Sequence, residues 1–154
     1  MKTLISYFSA QGTTKKVAQN LSKVLEADLF EIQPKQKYTQ ADLNWMDRNS
    51  RSRVEINNRE FRPAVASKPN NLEGYDTVLI GFPVWWYTAP TIINTFIEQN
   101  NLAGKKLYIF VTSGSSGVDG SLNDLRKTYP TLNFISGKRF TGGESASEIK
   151  EWIG

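Results

Sequence analysis

Apolar positions in this chain follow two rhythms that alternate from end to end. Short continuous runs of strand length, Leu4–Phe8, Asp28–Ile32, Thr77–Phe82 and Lys106–Val111, are separated by stretches in which apolar residues recur every third or fourth position. Thr13–Glu26 is one such stretch, with Val17, Leu21, Val24 and Leu25 on one face at helical spacing. A second begins near Pro90, a residue suited to the first turn of a helix, and carries Ile92, Ile93, Phe96 and Ile97. A third lies near Ser121–Thr128. A last strand falls within Asn133–Phe140. The closing helix is signalled by Ser145 and Glu148, spaced as a capping box, with Trp152 and Ile153 facing inward. The run Val78-Leu79-Ile80 does not alternate with polar residues, which marks a strand covered on both faces.

This alternation predicts an α/β fold, a doubly wound three-layer sandwich in which right-handed crossovers place helices on both faces of a parallel sheet. No repeat, low-complexity tract or linker divides it, so residues 1–154 read as a single domain. Ligands in such sheets bind at the C-terminal ends of the strands, which directs attention to the loops after strands one, three and four. One segment departs from the pattern. Between Lys35 and Asn71, Asp42–Arg59 is expected to be a helix with Leu43, Trp45, Met46, Val54 and Ile56 as its apolar residues. Arg48, Arg51, Arg53, Arg59 and Arg62 make it the most basic region. It reads either as a solvated helix, its charge offset by Asp47, Glu55 and Glu60, or as a lid or docking surface beside the ligand site.

Charge and composition then narrow the chemistry. Of 154 residues, 39% are hydrophobic and 22% charged, an ordinary globular balance. A net charge of +4 is too small to require a nucleic-acid partner. The chain has no Cys and no His, which excludes disulfides, thiolate nucleophiles, Cys/His metal sites and Ser-His catalysis. No metal site and no catalytic side chain is expected; redox chemistry would have to be carried by a bound cofactor. The 21 residues from Thr77 to Ile97 carry no charge and are long enough to span a bilayer. Gly81, Pro83 and Pro90 interrupt them, so a buried strand, a turn and a helix are expected instead of a membrane contact. The chain opens without a long apolar region, and a cytoplasmic protein without a signal peptide is expected.

The first loop, Ser9-Ala10-Gln11-Gly12-Thr13-Thr14, leads into a helix N-terminus with hydroxyls, a glycine and unpaired backbone N–H groups, features that suit a phosphate. It is neither a Walker A loop nor a G-x-G-x-x-G turn, and an ordinary strand-to-helix turn would also explain it. The second, Phe82-Pro83-Val84-Trp85-Trp86-Tyr87-Thr88-Ala89-Pro90, has three adjacent aromatic residues that cannot all enter one core; a flat conjugated ligand would cover them. Alternatively, two of them cap the core. The third, Thr112-Ser113-Gly114-Ser115-Ser116-Gly117, lets backbone approach a ligand closely, although Ser/Gly turns are common. Together the loops fit a ligand with a phosphate at one end and a flat heteroaromatic ring at the other, a description that FMN meets.

These three motifs and their spacing resemble those of the flavodoxins, in particular flavodoxin-like proteins with a P-[IV]-W-W motif, over nearly the whole chain. The resemblance implies a five-stranded parallel sheet of order 2-1-3-4-5 and non-covalent FMN at its C-terminal edge. Carried over by position, Ser9, Gln11, Gly12, Thr13 and Thr14 would hold the phosphate. Pro83, Val84, Trp85, Trp86 and Tyr87 would line the isoalloxazine, and Ser113, Gly114 and Gly117 would close its other side. The sequence departs from the pattern at Gln11, where many members have Thr or Ser, and in lacking a glycine between Pro83 and Pro90. Three functions follow: electron transfer with a redox partner protein, an NAD(P)H-dependent reductase of quinones or similar acceptors, or a binding or regulatory module without redox turnover. A monomer or a homodimer is compatible with each. An uncharged second loop would disfavour a negatively charged reduced ring, because a low-dielectric wall solvates charge poorly.

Overall fold

The computed structural model describes residues 2–44, 46–85, 87–113 and 117–153. Five parallel strands, β1 (Thr3–Tyr7), β2 (Asp28–Glu31), β3 (Thr77–Pro83), β4 (Lys106–Thr112) and β5 (Asn133–Phe140), form one sheet in the order β2-β1-β3-β4-β5. The expected order and class are those observed. Helices α1 (Thr13–Leu25), α3 (Thr91–Gln99), α4 (Asp119–Thr128) and α5 (Ala146–Ile153) cover the two faces.

The unbroken apolar run in β3 has the cause expected of it. Val78, Ile80 and Phe82 enter the larger core with Ile92, Ile93 and Phe96 of α3 and Leu122 and Leu125 of α4. Leu79 turns the other way, to a second core with Val17, Ala18 and Leu21 of α1 and Ile149 of α5. Both faces are dry, so polar alternation would bury unpaired groups. Gly81 sits where a Cβ would lie 2.0 Å from the Phe110 ring, so glycine is what lets that ring cross the strand.

Helix ends follow local chemistry. In α5 the capping box forms: the Glu148 N–H donates to Ser145 Oγ at 3.2 Å, and the Ser145 N–H donates to Glu148 Oε1 at 3.4 Å. Trp152 packs inward against Tyr108 and Phe140 and donates its indole N–H to Ser136.

The basic segment is the correction. Of the expected helix over Asp42–Arg59, α2 occupies Arg51–Asn57. Upstream, short polar side chains hold the backbone in turns: Thr39 and Asp42 exchange N–H donations to each other's side chains, and the Asn49 N–H donates to Asp47 Oδ1. Such side chains offer the backbone partners that a helix would otherwise supply. Ser50 then caps the helix that does form, accepting from the Arg53 N–H. Nor is there one apolar stripe, since Ile56 is buried while Met46 and Val54 are exposed. Trp45 lies outside the described residues.

Candidate functional site

The loops after β1, β3 and β4 converge at the C-terminal edge of the sheet and border a crevice of about 1040 Å³. In the first loop, Ser9 Oγ accepts the N–H groups of Gly12 (3.0 Å) and Lys15 (3.2 Å), folding the loop over the start of α1. Gly12 has φ 93°, a conformation that a side chain would strain. No side chain at that position caps the helix, and its first turn carries no acid. The backbone N–H groups of Thr13 and Thr14 therefore point from the positive end of a 13-residue helix without a partner among the described residues. The Thr14 hydroxyl is buried and paired with that of Thr112 at 2.7 Å, joining the first loop to the end of β4.

The second loop closes on itself through reciprocal bonds between Trp85 and Thr88, Trp85 N–H to Thr88 C=O at 3.0 Å and the reverse at 3.1 Å. Tyr87, within that turn, takes φ 69°, the left-handed conformation that a glycine would supply at lower cost. Its side chain is 71% exposed. Gly120 of α4 makes room for this turn, since a Cβ there would lie 2.7 Å from the Tyr87 carbonyl. Trp85 is half-buried and meets Phe8 and Tyr38 edge to face at 5.9 and 5.5 Å.

The structure brings Ser9, Gln11, Thr13 and Thr14 together with Pro83, Val84, Trp85, Tyr87 and Ser113 around one crevice. Gly12 and Gly117 are not among the residues lining it; Gly12 shapes the turn through its positive φ. Trp86 and Gly114 lie outside the described residues. Seven lining residues lie outside the expected set: Ala10 and Thr112 within the first and third loops, Leu43 and Ser52 from the basic segment, Arg139 and Phe140 at the end of β5, and Thr141 just beyond it. Leu43 and Ser52 favour the reading of that segment as a cover beside the site.

The cover is fixed by polar contacts. Arg51 donates from Nε to Glu55 Oε2 at 2.8 Å, and its guanidinium lies 3.8 Å over the Tyr38 ring. The Tyr38 hydroxyl donates to Glu55, and burial, then this contact, raises its pKa well above the usual phenol value. Tyr38 in turn packs against Trp85 and Phe8, so the cover and the second loop hold each other. Further bonds tie it down: Arg59 donates to the Ala89 carbonyl of the second loop at 2.9 Å, and Arg62 pairs with Glu98 of α3 at 2.9 Å.

A five-stranded, doubly wound sheet with a crevice between its first, third and fourth strand loops defines a class of ligand-binding α/β proteins. A flavodoxin family model matches residues 2–154, and the chain belongs to that family. It is 46% identical to a candidate flavoprotein from Bacteroides eggerthii of known crystal structure, with a TM-score of 0.96 over 99% of this chain and 95% of that one. A flavoprotein from Lactobacillus acidophilus, crystallised in complex with FMN, is 26% identical with a TM-score of 0.78, covering 99% of each chain. Rat NAD(P)H dehydrogenase [quinone] 1 is 20% identical over 157 residues; the match takes in 87% of this chain and 56%, about half, of that protein. Among the described residues, no helix is long and apolar enough to cross a membrane.

Proposed function

We propose that the crevice binds one FMN non-covalently and that the protein acts in electron transfer through it. The observation that carries the reading is the uncapped start of α1 facing the same crevice as the aromatic second loop. The unpaired N–H groups of Thr13 and Thr14 suit a phosphate, which needs donors and positive potential but no reaction. Ser9 Oγ already accepts two N–H groups, so its own proton is the one it can give to a phosphate oxygen. Between the Thr14 and Thr112 hydroxyls one proton is used internally and the other is free to donate. At the other end, exposed Tyr87 and half-buried Trp85 offer apolar ring surface, while small Ser113 leaves room opposite. FMN held there would supply one- and two-electron chemistry, while these residues would bind and orient it.

Fluorescence titration of the Trp residues tests this. FMN is expected to quench them with a stoichiometry of one, and riboflavin, lacking the phosphate, to bind at least tenfold more weakly. Equal affinity for both would remove the first loop from the site.

A second reading, an NAD(P)H-dependent oxidoreductase, is favoured by Leu43 and Ser52. They extend the lining beyond the three loops, in a crevice whose volume is at the upper end of ligand pockets. Anaerobic stopped-flow mixing of the FMN-loaded protein with NADH or NADPH separates the two. Rapid bleaching supports the reductase; bleaching that requires an added reductase protein supports the electron carrier.

A further inference from the structure

The uncharged second loop predicts a site that disfavours negative charge on the ring, but the crevice has another side. Among the described residues that line it, Arg139 alone carries a charge, and none is acidic. Arg139 lies at the end of β5, in register with Val111 of β4. Side chains alternate along a strand. Phe140 enters the core shared with α1 and α5, whereas a Cβ on Gly137 would meet Val118 and Leu122, on the α4 side. Arg139 thus shares the α4 side with Gly137, away from the start of α1 and toward the third loop. Its guanidinium is held there by two donations to Ser113, Nε to Oγ and Nη2 to the carbonyl, each 3.1 Å. The only formal charge among the described lining residues is thus held at Ser113, in the loop read as closing the ring, one residue beyond Thr112, whose hydroxyl meets Thr14 of the first loop.

The geometry points to Arg139 as the residue that sets the charge preference of the ring end, favouring the reduced, negatively charged form of bound FMN over the neutral oxidised form. This rests on the FMN reading above. In two-electron reduction the neutral oxidised ring takes two electrons from a reductant such as dithionite, which is oxidised, and one proton from water, leaving one negative charge on the ring. A fixed cation in a partly desolvated crevice stabilises that product and leaves the neutral reactant nearly unaffected. Arg139 contacts Ser113 and the crevice, so its role is tested by potential and not by turnover.

The experiment is spectroelectrochemical titration of the FMN-loaded wild type, Arg139→Lys and Arg139→Gln, with the affinity for oxidised FMN measured alongside. Arg139→Gln is expected to weaken binding of reduced FMN at least tenfold more than that of oxidised FMN. For a two-electron couple this lowers the midpoint by about 30 mV or more. Arg139→Lys, which keeps the charge, should stay near wild type. Equal potentials in wild type and Arg139→Gln, or an equal drop in both variants, would overturn the assignment. Should Arg139→Gln not fold, the wild type still decides: its two-electron midpoint is expected at or above that of free FMN, and a value well below it overturns the proposal. If wild type fails to bind oxidised FMN, the cofactor reading itself falls; if it binds FMN and the potentials are insensitive to charge, the role of Arg139 alone falls.

Discussion

Two stretches of this chain build the crevice by opposite means. From Thr77 to Thr112, β3, α3 and β4 are fixed by burial: Val78, Leu79, Ile80, Phe82, Ile92, Ile93, Leu107 and Ile109 have no exposed surface. From Lys35 to Asn71, the chain is held largely by polar contacts, many within the segment and others to Ala89, Glu98 and Asp124, with Ser50, Ser52, Glu55 and Ile56 among its buried residues. Burial is non-directional and sums over many neighbours, so the first stretch stands or falls with the whole domain. Hydrogen bonds and ion pairs are few and directional, so the second can be released locally. A rigid floor with a separately held cover follows, and the cover is the part suited to tune access to the crevice.

The sharpest break of that comparison is Ile80→Ala. Ile80 is fully buried in the larger core, and truncation should cost about 2–5 kcal/mol of global stability. Urea unfolding should show a lower midpoint for every probe at once. Loss confined to one region would mean that the sheet is not the cooperative unit.

Glu55→Gln is next and tests the cover. The carboxylate is nearly buried and serves both Arg51 and Tyr38; an amide cannot answer both, and the cation loses its counter-charge. A local cost of roughly 1.5–3 kcal/mol is expected, as for hydrogen bonds to charged groups. Hydrogen exchange should rise over residues 38–57 with little change in β3 and β4, and FMN affinity should fall several-fold as Trp85 loses its neighbour Tyr38. Uniform exchange across the sheet would show that cover and floor unfold together.

The same contrast explains what could be read from the residues. Strand runs and helix-period faces reported β1, β3, β4 and α1 nearly to the residue, and the start of α3, because local pattern and burial agree there. Asp42–Arg59 reads as one helix from its scattered apolar residues, but the side chains of Asn44 and Asp47 accept the N–H groups of Met46 and Asn49 and hold the backbone in turns instead. The three loops announced themselves by unusual local composition. Leu43, Ser52 and Arg139 did not, since nothing near them in sequence marks a site; strand order and long-range bonds bring them to the crevice. Tyr87 shows a milder version, with no glycine in its loop yet the left-handed conformation that a glycine would provide.

The smallest expected effect concerns the outer edge of the cover, where Arg62 donates to both oxygens of Glu98 at 3.0 Å. Tyr129 also donates to Glu98, and Asn94 donates to the Tyr129 hydroxyl at 3.1 Å. The hydrogen bond from Arg62 pulls the Glu98 carboxyl below its ordinary value of 4.5, while burial and then Glu98 push the Tyr129 phenol up to about 12. For a depressed acid, the stabilisation is present above the unfolded value and is lost as pH falls through the folded one. For a raised phenol, it is complete below the unfolded value of 10.0 and is lost as pH rises through about 12. The cluster is therefore intact between those limits and weakens on either side. Both ends of the ion pair are substantially exposed, so Arg62→Ala should cost no more than about 1 kcal/mol at neutral pH. Urea midpoints of wild type and variant should converge as pH falls through the depressed value of the Glu98 carboxyl, because its protonation removes the pair from the wild type. A difference that persists unchanged at the acid end would show that Arg62 acts through its donations to the carbonyls of Arg59 and Phe61, contacts that no proton can release.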